Sequence, residues 1–459
     1  MAQRGRGNGA DAPVAIVRTS DAGFARAFAR IRAVRAADVS RAEGVAREIV
    51  EGVRRRGDRA LLEYTRRFDG VRLTPATLAV TPEEMRAAAA SLPPAVRAAL
   101  RLAARRIRAF HLRQRQRSWR YRDAAGLVLG QQITPLRRVG VYVPGGHAAY
   151  PSSVLMNIIP ARVAGVDEVI MVSPAGRDGY APAVLAAAQL AGASAVYRVG
   201  GAQAVAALAY GTATIPRVDK IVGPGNAFVQ AAKRQVYGQV DIDSTAGPSE
   251  VLVIADAAAN PAYVAADLLA QAEHGSGDEC ALLLTPSARL ARSVQLEIAR
   301  QLAVLPRRAA ILGVLAKRGA LIVVRTLDEA VAIAEQVAPE HLELLVQNPQ
   351  RLSRRLRNAG AIFQGPFAPA PLGDYLAGPN HVLPTGGSAR FFSPLGTYHF
   401  VKRTSVVGGS AAALRRLGPA VMVLAELEGY QAHAAAIRLR LKPSKPPRRQ
   451  ERQVGKRKH

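Results

Sequence analysis

The segment RVGVYVPGG, residues 138–146, carries the pattern that decides the fold expected for the middle of the chain. Its apolar residues indicate a short buried strand that ends in Pro144-Gly145-Gly146, and a helical segment, PSSVLMNIIPARVAG, follows it. The same alternation recurs in DEVIMVSPAG, AVYRVGGAQ and VDKIVGPGN, each of which precedes another apolar helical segment. Short apolar strands that alternate with helices are typical of a parallel, doubly wound sheet. We therefore predict an α/β domain over residues 139–245.

A second α/β series begins at SEVLVIAD, residues 249–256, and continues through CALLLTP and ALIVVRT to about residue 380. Before the first series the periodicity is helical, and the Arg-rich segment extends this helical prediction toward Trp119. The predicted divisions are a disordered N-terminus (1–12), a helical region (13–138) that packs with 246–380 as the first α/β domain, a second Rossmann-like domain (139–245), a mixed C-terminal segment (381–440) and a basic disordered tail (441–459).

Composition narrows the class of protein. A chain of 459 residues is too long for one small core, and its 49% hydrophobic content with 5% aromatic residues indicates Ala-, Val- and Leu-rich packing. No run of about 18 apolar residues appears, so we expect no membrane span. The N-terminus lacks the apolar stretch of a secretory signal, and Cys280 is the single cysteine. These features predict a cytoplasmic location.

The formal charge of +29 allows two interpretations. Residues 97–122 contain ten arginines and no acidic residue, and residues 442–459 are also strongly basic. A nucleic-acid surface would explain this charge, but so would a solvated helix face followed by a disordered tail. The sequence shows neither a recognised nucleic-acid motif nor a basic platform interleaved with aromatic residues. We therefore expect no nucleic-acid partner, and the role of the tail stays open.

Polar residues with possible chemistry cluster at the end of one predicted helix. Asn260 and Pro261 mark the start of this helix, and Gly275 is a natural C-cap. Gln271 and His274 are three residues apart, so they share a face in the last turn. An amide oxygen beside an imidazole can hold a metal if further ligands come from elsewhere, but a solvated polar helix end has the same pattern.

Two more polar pairs lie in apolar or Gly-rich surroundings. Glu340 and His341 are adjacent after Pro339, and adjacent residues reach one site only from a turn or a helix start. Asp374 and His381 lie within LGDYLAGPNHVLPTGG, a Gly- and Pro-rich loop of the kind that positions functional groups. Each of these residues could by itself be an ordinary cap or turn residue.

Gly-rich turns between strand and helix suit phosphate groups, because backbone N–H groups and a helix N-terminus converge there. Such turns occur at Gly145-Gly146, Gly200-Gly201 and Gly223-Pro224-Gly225-Asn226. The last turn departs from the dinucleotide fingerprint, since Phe228 occupies the place of the third glycine. A nucleotide site of unorthodox form is one interpretation, and turns that carry glycine only for their geometry are the other.

Taken together, these segments resemble histidinol dehydrogenase. The resemblance runs from about Asp38 to Ile437 and rests on PGG, GGAQ, GPGNAFVQAAKRQV, AGPSEVLVIAD, AQAEHG, APEHLELL, GDYLAGPNHVLPT and EGYQAHA. It implies oxidation of L-histidinol through L-histidinal to L-histidine, the final steps of histidine biosynthesis, with two NAD+ and one zinc ion per subunit. It also implies two incomplete, doubly wound Rossmann-like domains similar to those of aldehyde dehydrogenases, a smaller mixed tail region, and NAD on the 139–245 domain.

The resemblance assigns roles residue by residue. The implied zinc ligands are Gln271, His274, Asp374 and His433; the acid–base pair is Glu340 and His341; the NAD contacts are Tyr142, Gln203 and Asn226; and the substrate contacts are Ser249, Gln271, His274, His341, Asp374, His381, Glu428 and His433. A same-scaffold dehydrogenase of another small polar alcohol is the alternative. Cys280 is expected to serve packing rather than covalent catalysis, and His111, His147 and His399 are expected to be structural.

The resemblance further implies a homodimer in which residues 381–440 supply dimer and substrate contacts. Glu428 and His433 are five residues apart and therefore about 140° out of phase on a continuous helix. Gly429 offers a break that would let both point at one ligand. In the implied dimer both residues reach the site of the partner. A tail that folds back on its own chain is the alternative, and the residues do not decide between the two.

Overall fold

A computed structural model describes residues 13–32, 36–145, 149–176, 179–245, 247–274 and 277–442. The predicted disordered N-terminus (1–12), the tail from residue 443, Gly146, His147 and the predicted cap Gly275 lie outside the described residues. The described residues divide into two compact units, and residues 116–134 and 402–442 form the second.

Strands and helices alternate through most of the described chain. The strands are β1 (Ala15–Arg18), β2 (Trp119–Arg122), β3 (Val128–Pro135), β4 (Arg138–Tyr142), β5 (Glu168–Val172), β6 (Ala195–Tyr197), β7 (Lys220–Val222), β8 (Asp241–Ile242), β9 (Glu250–Ala255), β10 (Cys280–Thr285), β11 (Gly319–Val323), β12 (His341–Leu345), β13 (Ala361–Gln364) and β14 (Val401–Gly408). The α-helices are α1 (Phe24–Arg32), α2 (Ala36–Arg56), α3 (Asp58–Asp69), α4 (Pro75–Leu78), α5 (Pro82–Ser91), α6 (Pro94–Leu112), α7 (Pro151–Ala164), α8 (Pro182–Ala191), α9 (Gly201–Tyr210), α10 (Ala227–Val236), α11 (Pro261–Ala272), α12 (Ala288–Leu302), α13 (Arg308–Arg318), α14 (Leu327–Val337), α15 (Pro349–Ser353), α16 (Ala370–Leu372), α17 (Ala411–Leu427) and α18 (Gln431–Leu441). A π-helical turn follows α16 at Gly373–Ala377, and 3₁₀ turns occur at Ser388–Arg390 and Thr397–Phe400.

The first sheet of the first unit has six strands in the order β1-β11-β10-β9-β12-β13, and their pairings are parallel. Apolar side chains of α11, α12 and α13 pack on one face, where Leu268, Val294 and Ile311 are buried. On the other face α1 and α14 contribute Phe28 and Ala334 to a second core. Helices on both faces explain why strands such as CALLLT are buried along their whole length.

The second sheet has five parallel strands in the order β6-β5-β4-β7-β8. Residues of α9 and α10 pack on one face and residues of α7 and α8 on the other. Two parallel sheets with helices on both faces confirm the predicted α/β class with two doubly wound, Rossmann-like domains. The smaller mixed region that was expected alongside them is also present.

The helices before residue 113 pack differently from the sequence-based expectation. Only β1 and α1 join the six-stranded sheet, whereas α2 packs on α9 and α10, α5 on α8, and α6 on α7. The physical reason lies in α9, whose residues 202–209 are all buried. A helix that is apolar on every side needs a second covering layer. Residues Ala46, Ile49 and Val53 of α2 supply part of that layer.

The C-terminal boundaries also differ from the prediction. Residues 381–401 belong to the first unit, while residues 116–134 join the second. The predicted helix toward Trp119 is wrong at its end, because α6 stops at Leu112 and Trp119–Arg122 forms β2, which pairs antiparallel with β3. The alternation of Trp119 and Tyr121 with arginines favours a strand over a helix.

The second unit combines a three-stranded sheet, in the order β14-β3-β2, with the helix pair α17 and α18. These two helices approach closely at Gly418, where an added Cβ would lie 2.9 Å from Ile437 Cγ2. Gly429 adopts φ 81° between the two helices, so the chain breaks at the predicted position. Over the described residues, no helix combines the length and apolar character needed to cross a membrane.

Candidate functional site

A cavity of about 270 Å³ lies in the first unit, where opposite edges of the two sheets meet. Ser249, Glu340 and His341 line it from the N-terminal ends of β9 and β12. Gly223 and Asp243 line it from the C-terminal ends of β7 and β8. The C-terminal edge of an open parallel sheet is the usual place for a ligand crevice. This cavity therefore joins such a crevice to polar side chains from a second sheet.

Glu340 is held at the start of β12 by two hydrogen bonds. Ser249 Oγ donates to Glu340 Oε2 at 2.5 Å, and the backbone N–H of Glu250 donates to the same oxygen at 3.0 Å. Burial raises the pKa of the Glu340 carboxyl, while His341 and these donors oppose that rise. Ala338 adopts φ 50°, a left-handed conformation that is strained for a residue with a Cβ, two residues before Glu340.

His341 is the first residue of β12 and is buried beside two carboxylates. Its Nδ1 lies 3.1 Å from the carbonyl oxygen of Glu250, and its Nε2 lies 3.5 Å from Asp374 Oδ1. Nε2 is buried and makes no well-formed hydrogen bond to a described residue. Burial by itself lowers the pKa of His341, but Glu340 and Asp374 outweigh it and raise that pKa to about 9. His341, at the start of β12, and Glu340, just before it, thus reach the same cavity.

Asp374 and His381 are brought together by the segment between them. The carbonyl oxygen of Asp374 accepts a hydrogen bond from His381 Nδ1 at 2.8 Å, and His381 Nε2 lies 3.2 Å from Ser153 Oγ. Burial lowers the pKa of His381, so its imidazole is neutral near pH 7. Burial would raise the pKa of the Asp374 carboxyl, but His341 holds it below its usual range. The side chain of Asp374 projects from a π-helical turn, a feature that is frequent at functional sites.

Three of the predicted metal ligands belong to the first unit. His274 and Asp374 line the same cavity, and Gln271 is buried one turn before His274 at the end of α11. The amide nitrogen of Gln271 has no hydrogen-bond partner among the described residues. An imidazole nitrogen, a carboxylate oxygen and an amide oxygen are chemically suited to zinc, whereas the amide nitrogen of Gln271 is a hydrogen-bond donor and not a ligand. Within the part of the chain that the structure describes, no three His, Cys, Asp or Glu side chains are close enough to form a metal site.

The remaining predicted ligand, His433, and the predicted substrate contact Glu428 belong to the second unit. Glu428 follows the end of α17, and His433 lies in the first turn of α18, where its ring is 5.1 Å from that of Tyr430. The two residues therefore flank the break at Gly429. Their assignment to the site of the first unit stays a prediction.

The predicted NAD contacts lie at the C-terminal edge of the five-stranded sheet. The hydroxyl of Tyr142 accepts a hydrogen bond from the backbone N–H of Gly201 at 3.1 Å, and Gln203 lies in the first turn of α9. The amide nitrogen of Gln203 is buried without a partner among the described residues. Asn226 caps α10, because its Oδ1 accepts from the N–H groups of Phe228 and Val229. The end of β4 and the segments that follow β6 and β7 thus carry these residues at one edge of the sheet, as a nucleotide site requires.

Comparison with known proteins decides the family. The sequence model described as histidinol dehydrogenase matches residues 33–441. The chain belongs to the histidinol dehydrogenase family. A histidinol dehydrogenase of Syntrophotalea carbinolica is 56% identical over 399 residues, which is 86% of this chain and 92% of that protein. One from Bordetella parapertussis is 54% identical over 92% of this chain and 96% of its own length.

A crystal structure of a family member supports the same conclusion. The histidinol dehydrogenase of Elizabethkingia anophelis matches with a TM-score of 0.88 and 34% identity, over 94% of this chain and 98% of that one. The family match therefore extends across both units of the chain.

The GPGN loop of this histidinol dehydrogenase family member is held by a buried ion pair that the sequence analysis missed. Lys233 Nζ donates to the carbonyl oxygen of Gly223 at 3.0 Å and pairs with Asp243, whose Oδ2 accepts from the N–H of Gly223 at 2.7 Å. The side chains of Lys233 and Asp243 are only 1% and 4% exposed. An added Cβ on Gly223 would lie 2.1 Å from the carbonyl oxygen of Tyr142. The signal available in the sequence was a lysine on an otherwise apolar helix face.

Asp69 is a second residue that the sequence analysis missed. It ends α3, and its carboxylate accepts a hydrogen bond from the backbone N–H of Gly200, beside the predicted NAD contacts. Its Oδ2 is buried and has no hydrogen-bond partner among the described residues. Burial raises the pKa of this carboxyl to about 6. The Phe-Asp-Gly turn at residues 68–70 looks like an ordinary helix end, so its place beside Gly200 was not predictable.

We expect Asp69→Asn to change how stability depends on pH. The folded protein keeps the Asp69 proton up to about pH 6, whereas the unfolded chain releases it near its ordinary pKa of about 3.9. The contribution of Asp69 to the free energy of unfolding is therefore lost as pH rises through this interval. Urea denaturation at pH 4.5 to 8 should show that the free energy of unfolding of the variant rises relative to that of the wild type up to about pH 6. Above this pH the difference between the two proteins should stay constant. Parallel stability curves over the whole range would contradict the raised pKa.

Proposed function

We propose that this protein is an NAD- and zinc-dependent dehydrogenase that oxidises L-histidinol through L-histidinal to L-histidine, in the final steps of histidine biosynthesis. The observation that carries the proposal is the family match over residues 33–441. The cavity supports it, because Glu340, His341, His274 and Asp374 meet there beside the C-terminal edge of a Rossmann-like sheet. Such a cavity combines acid–base groups with metal-binding side chains, a combination suited to the oxidation of an alcohol.

Zinc, one ion per subunit, would be held by Gln271, His274 and Asp374 together with His433. When bound, it would fix the alcohol oxygen and lower the pKa of the hydroxyl, while NAD+ supplies the hydride acceptor. Tyr142, Gln203 and Asn226 are the proposed NAD contacts. The proposed substrate contacts are Ser249, Gln271, His274, His341, Asp374, His381, Glu428 and His433.

His341 is the proposed general base for the alcohol proton. The carbonyl oxygen of Glu250 lies 3.1 Å from Nδ1 and accepts its proton in a hydrogen bond. That contact leaves Nε2 as the nitrogen that exchanges a proton with the substrate, and Nε2 is the atom without a well-formed partner. Because the pKa of His341 is raised to about 9, the neutral imidazole that can accept the alcohol proton predominates only at alkaline pH. A general base must lie within hydrogen-bond reach of the proton that it removes. The position of His341 in the cavity wall supports this role.

Glu340 is the proposed base for the second oxidation. An aldehyde cannot release a hydride until water adds to its carbonyl carbon, so a group must take a proton from that water. Glu340 lies in the cavity wall and is oriented by Ser249 and Glu250. Its raised pKa favours a group that both accepts and returns protons near neutral pH.

We also infer a homodimer in which Glu428 and His433 of one subunit complete the site of the other. The apolar side chains of Val423, Leu424 and Leu427 on α17 are well exposed, which supports a buried contact with another chain. A cytoplasmic location stays a prediction, supported by Cys280 as the single cysteine, a buried thiol in no internal disulfide. The alternative substrate, another small polar alcohol, would differ in the contacts that Glu428 and His433 make.

The purified protein is expected to reduce NAD+ when histidinol is added and to carry bound zinc. His274→Ala should lose both bound zinc and turnover, because one of two imidazole ligands is removed. Glu273→Gln, which changes the adjacent side chain of the same helix end, should keep both. Zinc is measured by elemental analysis and turnover by absorbance of NADH. Full activity of a zinc-free preparation would remove the metal from the proposal, and turnover only with other alcohols would replace the substrate.

Glu340→Gln is expected to impair aldehyde oxidation more than alcohol oxidation. General acid–base groups contribute about 10²- to 10⁴-fold, and the water that hydrates the aldehyde depends on this carboxylate. The two half-reactions are measured separately, with histidinol and with histidinal as the starting substrate. Equal losses in the two assays would contradict the division of roles between Glu340 and His341.

Mixed dimers test whether the C-terminal segment crosses to the partner. Inactive His274→Ala chains are combined with inactive His433→Ala chains under conditions that allow subunit exchange. If His433 serves the other subunit, one of the two sites in each heterodimer has every ligand, and activity returns. If the segment folds back on its own chain, each site keeps one defect and the mixture stays inactive. His274→Ala chains mixed with themselves are the control.

A further inference from the structure

Glu343 is a buried carboxyl group in the centre of β12, two residues after His341. Residues two apart on a strand point to the same face. Leu345 continues this face and packs in the core that contains Leu268 and Leu269 of α11. Glu343 thus lies directly behind His341, on the face of the sheet that α11 covers, and it is only 2% exposed.

The carboxyl group of Glu343 contacts two other elements. Its Oε1 accepts a hydrogen bond from the backbone N–H of Ala370 at 2.7 Å, where α16 begins. Its second contact is a hydrogen bond with the carboxyl group of Asp267 on α11. Phe363 lies opposite Glu343 on β13, and an added Cβ on Gly373 would lie 2.6 Å from its ring. The segment 370–377 therefore rests on the same sheet face.

Two buried carboxyl groups in contact must share a proton, since two adjacent negative charges are strongly unfavourable in a site with little water. Burial and the charge of Asp267 raise the pKa of Glu343 to about 9, and His341 opposes this rise. Burial also raises the pKa of Asp267, which the hydrogen bond from Glu343 opposes. One of the two carboxyl groups therefore keeps a proton near pH 7 and donates it to the other.

These contacts connect the three elements that carry the proposed site. The helix α11 presents Gln271 one turn beyond Asp267, and His274 follows two residues after the end of the helix. The segment that begins at Ala370 presents Asp374 four residues later. Glu343 itself belongs to the strand that presents His341. Among the described side chains of β12, Glu343 alone makes hydrogen bonds to both α11 and the 370–377 segment.

We propose that Glu343 is a positioning residue whose carboxyl group ties α11 and the 370–377 segment to β12, and so sets the spacing of Gln271, His274, Asp374 and His341. This inference rests on the proposed function, because it concerns the same site. Residues behind metal ligands typically change metal affinity or activity by about 10- to 100-fold when mutated. Because Glu343 and Asp267 share one proton, the positioning role of Glu343 depends on its hydrogen bonds and not on a negative charge.

A pair of substitutions at Glu343 separates these contacts from simple loss of packing. Glu343→Gln keeps both, because its amide can donate to Asp267 and its carbonyl oxygen can accept from Ala370. Glu343→Leu fills a similar volume but makes neither contact. We expect Glu343→Leu to lower zinc affinity and kcat by about 10- to 100-fold, and Glu343→Gln to stay close to the wild type. Equal effects of the two substitutions, or no effect of either, would overturn the proposal.

Asp267→Ala provides a second variant if Glu343→Leu does not fold. It removes only the contact to α11, and alanine is favourable in a helix. Zinc affinity should fall, and hydrogen exchange of the metal-free protein should speed up in the last turn of α11. Unchanged exchange and unchanged zinc affinity would contradict the proposed link.

Glu335→Leu is the matched control. Glu335 also accepts backbone N–H groups, those of Arg357 and Asn358, but it lies on α14 away from the cavity. Its substitution should lower the melting temperature and leave zinc affinity and kcat unchanged. If the wild-type protein neither binds zinc nor oxidises histidinol, only the proposed function is overturned. The link between β12 and α11 is tested separately, because the hydrogen exchange of Asp267→Ala and of the wild type is compared in the metal-free protein.

Discussion

The site depends on the burial of an imidazole among carboxylates. His341 and Glu340 are each less than 10% exposed, and burial by itself opposes the charged form of both side chains. The charged forms persist only where opposite charges and hydrogen-bond donors replace the lost water. Asp374 supplies the charge, and Ser249 with the backbone of Glu250 supplies the hydrogen bonds. A small displacement of any of these partners would therefore alter the protonation of the pair.

This constraint explains why so many chain segments meet at one cavity. The partners of Glu340 and His341 come from β9, from the start of β12 and from the π-helical turn at Gly373–Ala377. The N-terminal edge of the six-stranded sheet brings the polar pair, and the C-terminal edge of the five-stranded sheet brings the loops that carry Gly223 and Asp243. The buried pairs Lys233–Asp243 and Glu343–Asp267 lie just behind these loops and segments. Polar networks that are fully paired make such a core rigid and specific.

The helices that precede residue 113 add an outer layer to the domain of the five-stranded sheet. Through α2, α5 and α6 they cover α7 to α10, whose inner sides pack on the five-stranded sheet. The Arg-rich side of α6 remains largely exposed to solvent, while Ala103, Ala104 and Ile107 face the core. This arrangement favours the simpler interpretation of the arginines, a solvated helix face. The basic residues after residue 442 have no comparable account.

The sequence by itself determined the α/β class, the order of most strands and helices, and the residue types of the site, because hydrophobic periodicity and turn residues are local properties of the chain. Family motifs such as AQAEHG and APEHLELL added the prediction of which residues take which role in the site. Tertiary structure alone decided which sheet α2 to α6 cover, since periodicity shows that a helix has a buried face but not which surface buries it. It also decided that Glu343 meets Asp267 and that Asp69 meets Gly200. Those contacts join residues far apart in the chain, and a single acidic residue in HLELL or FDG does not indicate which residue it contacts.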